Sequence, residues 1–141
     1  MKYLFHTVLV VALLELPTVA MADEAAPPAD FSDSNATFTH DCSSNATVTF
    51  NSSSSKITVL GACDEIVING ASSKVSIVSA KKVVINGASN EVSIDAAGKI
   101  SVTGSSNIVT YAKGLGKAKA PKVAKSGVGN KVSKRKVNKA N

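Results

Sequence analysis

The sequence of 141 residues predicts an all-β fold: a short single-domain β-solenoid of about five coils, each of ~17 residues. Three observations predict it. Units recur along the chain at a nearly fixed spacing. Apolar residues reappear at equivalent places in each unit and alternate with small polar ones. A short turn rich in Gly, Ser and Asn divides every unit into two segments.

The repeat is plainest in three stretches offset by 17 residues: Ile66 to Ile77, Val83 to Ile94, and Ile100 to Tyr111. A weaker unit precedes them at Val48 to Val59, offset by 18. Another follows at Val123 to Lys134, offset by 23, the extra residues falling within the Gly/Lys/Pro stretch 113–121, which reads as a loop. In the first segment, Val48, Ile66, Val83, Ile100 and Val123 form one column, and Phe50, Ile68, Ile85, Val102 and Lys125 the next. In the second, Ile57, Val75, Val92, Val109 and Val132 align, followed by Val59, Ile77, Ile94, Tyr111 and Lys134. Successive strand side chains point to opposite faces, so these alternating positions share one face. β-branched residues suit that pleated, half-buried setting.

The turns place Gly70, Gly87, Gly104 and Gly127 three residues before Ser73, Asn90, Asn107 and Asn130. Gly reaches positive φ at no steric cost and Asn tolerates it, which makes both structural turn residues. An antiparallel meander or sandwich with hairpin turns also fits the alternation. Stacking accounts better for residue types that repeat unit after unit, because each side chain in a solenoid touches its own equivalent above and below. Lys125 and Lys134, standing where earlier units have apolar side chains, suit a terminal coil that must resist edge-to-edge growth.

Upstream of the repeat, residues 1–22 read as an export signal. Lys2 is followed by the apolar run Tyr3 to Leu14, the helix breaker Pro17, and the small residues of Ala20-Met21-Ala22. A short membrane anchor is the competing reading, but the run is too short to span a bilayer comfortably. No Cys follows it, which argues against a lipid anchor, and no second apolar stretch predicts a transmembrane segment in the mature chain. Residues 23–39 are read as a flexible acidic leader, 40–134 as the repeat domain, and 135–141 as a basic tail. In an exported chain the cysteines, Cys42 and Cys63, are expected to be bridged. The loop so closed would contribute about 3 kcal/mol. The sequons at Asn35, Asn45 and Asn51 are glycosylation sites only in a source that uses them.

The units Val83 to Ile94 and Ile100 to Tyr111, the closing Gly127 to Val132, and Cys42 with Cys63 resemble a family of exported bacterial proteins and lipoproteins catalogued as domain of unknown function 3060. The resemblance spans roughly 40–134, and departs from the family pattern at Ser73, where the turn usually has Asn. It implies a bacterial envelope or secreted setting, periplasmic or extracellular, and brings no activity with it.

Catalytic chemistry finds little material. A nucleophile or acid–base pair must lie in mutual reach. His40 stands alone in a polar stretch and reads as solvated; Asp64, Glu65, Glu91 and Asp95 fall at turn-like or outward places. There is no phosphate-binding Gly loop, no calcium loop and no zinc ligand set, so no cofactor or metal is expected. The Asn column reads as a ladder of amides bonding one another and the turn backbone, more than as a comb for a ligand. The outward row Thr58, Ser76, Ser93, Thr110 and Ser133 reads first as an ordinary solvated face, and second as a surface for ice, glycan or another copy.

Charge supplies the best candidate for a binding feature; the competing reading is a tail that only keeps the chain soluble and protects the end of the solenoid. Asp23 to Ala112 holds nine acidic and five basic residues, whereas Lys113 to Asn141 holds ten basic and no acidic ones. The dense cluster Lys131, Lys134, Arg135, Lys136 and Lys139 is the candidate anion-binding site. With no aromatic after Tyr111, stacking on nucleic-acid bases is not expected, and binding would be electrostatic, salt-sensitive and of low specificity. The predicted function is a non-enzymatic envelope or secreted binding module for anionic polymers or surfaces; the alternative is a structural or self-assembling surface element. The sequence carries no signal for oligomeric state.

Overall fold

A computed structural model describes residues 29–136. The expected signal segment, the first residues of the leader and Lys139 lie outside them. Nine strands and no helix occur among the described residues: β1 (Ala29–Phe31), β2 (Thr37–Asp41), β3 (Thr47–Asn51), β4 (Lys56–Ala71), β5 (Lys74–Ala88), β6 (Glu91–Ser105), β7 (Ile108–Gly114), β8 (Lys122–Val128) and β9 (Lys131–Lys134). Every pairing is parallel, in the order β1-β3-β4-β5-β6-β7-β9, with β2 on β4 and β8 on β6. The chain is a parallel β-solenoid; a meander would require antiparallel neighbours.

The register matches the columns read from the repeat. Val48 pairs with Ile66, Ile66 with Val83, Val83 with Ile100, and Ile100 with Val123. On the second side Ile57, Val75, Val92, Val109 and Val132 stand in file. These columns make one continuous core. Phe50, Ile66, Ile68, Ile85, Ile94 and Ile100 are among the fully buried side chains. Each such burial is worth about 1.5–3 kcal/mol against water. No coil could collect that alone, because both faces of its apolar layer need a neighbour.

Three features differ from the sequence reading. The sheet begins earlier than the expected leader boundary: Ala29–Phe31 pairs with Val48–Phe50, and Thr37–Asp41 with Lys56–Leu60. An aromatic layer explains why this stretch is held. Phe31 stacks on Phe50 at 5.2 Å, and Phe38 approaches Phe31 at 5.2 Å and Phe50 at 6.0 Å. The three phenylalanines beyond residue 22 therefore close the N-terminal end of the core, where no further coil lies beneath among the described residues.

His40 is not solvated. It occupies the column above which Val59 sits, is buried at 7% exposure, and lies edge-on to Phe31 at 5.8 Å. Its Nε2 donates to the Asn45 carbonyl at 2.9 Å, which meets the ring's need for a polar partner.

The stretch joining one unit to the next is paired as well. Ala62 matches Ser79, Ser79 matches Ala96, and Cys63, Ala80 and Ala97 form a buried column of small side chains. Sequence alternation identifies only the two bulky sides of each coil, because small residues carry no strong periodic signal. Cys42 and Cys63 are joined at the N-terminal end of this column, with Cα atoms 5.2 Å apart, a spacing that bridges adjacent layers without backbone movement.

Candidate functional site

The turns between the two sides show what Gly and Asn each do. Gly70, Gly87, Gly104 and Gly127 have φ of 132°, 147°, 120° and 96°. A Cβ on any of the last three would coincide with the carbonyl oxygen of the glycine one coil below. The column is glycine because backbone passes over backbone with no space for a side chain.

The Asn residues are not the left-handed positions. Those are Ser54, Ser72, Ser89 and Ser106, with φ of 56–58°, one residue earlier in the chain. Asn90 and Asn107 instead turn inward and are buried at 1% and 0% exposure. Asn107 Oδ1 accepts from the Asn90 backbone N–H and from Asn90 Nδ2, both at 3.1 Å. Asn107 Nδ2 donates to the Gly87 carbonyl and to Asn130 Oδ1, both at 2.9 Å. Asn130 repeats the step onto Gly104 at 2.9 Å. Each amide thus satisfies the backbone groups that the tight glycine turn would leave unpaired. Ser73 holds the same place with a shorter reach: its Oγ accepts from the Ser55 N–H at 3.2 Å and its N–H donates to Asn90 Oδ1 at 3.0 Å.

A second amide ladder runs on the outside of the first side and was missed in the sequence. Asn86 donates to Asn69 at 3.0 Å, Asn69 to Asn51 at 2.7 Å, and Asn51 to Asp30 at 2.9 Å. The signal is present as Asn69-Gly70 and Asn86-Gly87 in register, but Asn-Gly is also a common turn pair, so the spacing alone does not single out a ladder. This outer face spends its polar groups on itself, and Lys82 pairs with Glu65 across the same sheet at 2.6 Å.

The cationic end is built by the last coil. Lys125 pairs in register with Val102 and Lys134 with Tyr111, so both stand over core columns yet remain exposed. Lys122, Lys131 and Lys136 are exposed beside them. Among the described residues none of these five lysines has an acidic partner. Arg135 differs: it donates to Ser93 Oγ at 2.6 Å and to Asp95 Oδ1 at 2.5 Å, crossing two coils to do so. Arg135 is therefore a clasp holding the last strand against the second side, while the lysines remain unneutralised.

Among the described residues no cluster of His, Cys, Asp and Glu side chains is arranged to hold a metal ion, and no helix is long and apolar enough to cross a membrane.

Fold and surface together define a small parallel β-solenoid with a self-bonded Asn/Gly turn ladder and a lysine-rich terminal coil. The family model for protein of unknown function (DUF3060) matches residues 51–94 and again 68–129, so the chain belongs to that family. The two matches start 17 residues apart, which is one coil: the family pattern is the coil pattern, and it aligns in two registers. No curated protein and no solved structure matches the chain.

Proposed function

We propose that this protein is exported and acts without catalysis, as a binding module whose C-terminal coil engages anionic envelope polymers or surfaces. The observation that carries the reading is the terminal coil itself, where Lys122, Lys125, Lys131, Lys134 and Lys136 are exposed without an acidic partner among the described residues. Elsewhere Lys74, Lys81 and Lys82 are each matched by Glu91, Asp64 or Glu65 on a neighbouring coil. Several like charges on one rigid end attract a polyanion more strongly than scattered pairs do, and salt screens the attraction within about 10 Å at 0.1 M.

The test is retention on an anionic matrix over a salt series. The comparison is between the mature chain and a Lys131→Glu, Lys134→Glu, Lys136→Glu variant that leaves the Arg135 clasp intact. Elution at markedly lower salt supports the reading; equal elution of the two proteins rejects it.

A further inference from the structure

The outer surfaces of the two sides are unlike, and the difference points to a second binding surface. On the first side the exposed amides bond one another. On the second side the outward row Thr58, Ser76, Ser93 and Thr110 lines two adjoining grooves of about 310 and 170 Å³, which share Ser76 and Ser93. Apart from the contact of Ser93 with Arg135, these hydroxyls have no protein hydrogen-bond partner among the described residues. They recur coil by coil in register, so the row runs roughly 14 Å along the solenoid axis at the usual inter-strand spacing.

The banks carry the second observation. Two of the five large apolar side chains exposed among the described residues line these grooves: Ile108 at 50% on one bank and Val78 at 44% on the other. Charges of both signs are set between them. Lys56 and Lys74 stand on the first bank with Glu91, and Asp95 with Arg135 on the second.

We infer that this groove binds a linear glycan carrying carboxylates at intervals. Sugar hydroxyls exchange hydrogen bonds with the Thr and Ser row, which both donates and accepts. Ile108 and Val78 cover the C–H faces of the rings, Lys56 meets a carboxylate without giving up an acidic partner, and Lys74 and Arg135 exchange their exposed Glu91 and Asp95 partners for those of the ligand. Glu91 and Asp95 disfavour a polymer with a charge on every unit, because like charges in apposition are costly. The surface shares Arg135 alone with the terminal lysines, and either reading can fail without the other.

The probe is a hyaluronan octasaccharide, which has one carboxylate per disaccharide, with a heparin octasaccharide as the densely charged comparison. Binding is followed by amide chemical shifts of the mature protein at moderate salt. Hyaluronan is expected to move the amides of Ser76, Ser93 and Thr110. Ser93→Tyr, which fills the groove with a strand-compatible residue, and Lys74→Glu are each expected to weaken it about tenfold. The Lys131→Glu, Lys134→Glu, Lys136→Glu variant is expected to keep hyaluronan affinity and lose heparin retention. Absence of shifts along the hydroxyl row overturns the inference. So does hyaluronan binding that the terminal variant abolishes while the groove variants, shown folded by their unperturbed amide spectra, leave it intact.

Discussion

The side-chain amide of Asn107 donates to the backbone carbonyl of Gly87 one coil below, at 2.9 Å. Side-chain amide and glycine are two halves of one device. Glycine lets the backbone turn without a Cβ, and the next coil's amide bonds the carbonyl that this turn leaves pointing inward.

Removing the amide strands several buried groups at once. Asn107→Ala leaves the Gly87 carbonyl and the Asn90 N–H without their partners. An unsatisfied buried group costs about 1–3 kcal/mol, so the variant is expected to lose at least that much in chemical denaturation. Asn86→Ala, in the exposed ladder, should stay within about 0.5 kcal/mol of the wild type. Equal losses at the two sites would show that inward orientation does not matter.

Gly87→Ala is expected to be far worse than an ordinary loop substitution. The new Cβ has no space beneath the Gly70 carbonyl, and φ of 147° is unfavourable for any L side chain. Destabilisation beyond about 4 kcal/mol, or failure to fold, is the expected outcome. Gly116→Ala is the control: φ is 61°, nothing lies within 4 Å of the added atom, and the cost should be about 1–2 kcal/mol. Thermal melts of both variants make the comparison.

Ser52 occupies the glycine column in the first turn and is buried, and its Oγ has no partner among the described residues. Ser52→Ala removes that hydroxyl without altering the backbone. It is expected to leave stability unchanged or raise it by about 1 kcal/mol, read as a shift in denaturation midpoint.

The Cys42–Cys63 bridge ties the N-terminal layer to the coil above it. Cys42→Ser with Cys63→Ser should lower stability by about 2–4 kcal/mol. The loss should begin at one end. Hydrogen exchange is expected to quicken first in the strands Ala29–Phe31 and Thr37–Asp41, before the central coils respond.

Asp41 accepts the Ser43 N–H at 2.9 Å, and bonds to Ser43 hold its carboxyl below the usual value of 3.8. The charged form is the one favoured in the folded chain. Its contribution is therefore present above the unfolded pKa and fades as pH falls through the lower folded value. A carboxyl titration by NMR should place the Asp41 midpoint below 3.8 in the wild type. Ser43→Pro, which removes the donor, should bring it back up.

Legibility from sequence tracked the strength of each periodic signal. Val75, Val92 and Val109 announce their column because bulky β-branched residues alternate with Ser and Thr at constant spacing. Gly87 and Gly104 mark the turn for the same reason. Phe31, Phe38 and His40 did not announce theirs, since the first layer lacks a Gly turn and uses aromatic residues where later coils use Val and Ile. Ala80 and Ala97 escaped notice as a paired side, because small side chains look alike in a strand and in a loop.

The order of residues alone determined the coil length, the contents of the core columns, the glycine turns and the separation of acidic body from basic end, because these are properties of spacing and composition. Only the folded chain decided that Asn90 and Asn107 point inward, that Arg135 reaches Asp95 while the neighbouring lysines stay unpaired, and that aromatic rings close one end of the stack. Those outcomes depend on which side chains meet across layers 17 to 42 residues apart in sequence, and such meetings exist only once the coils lie on one another.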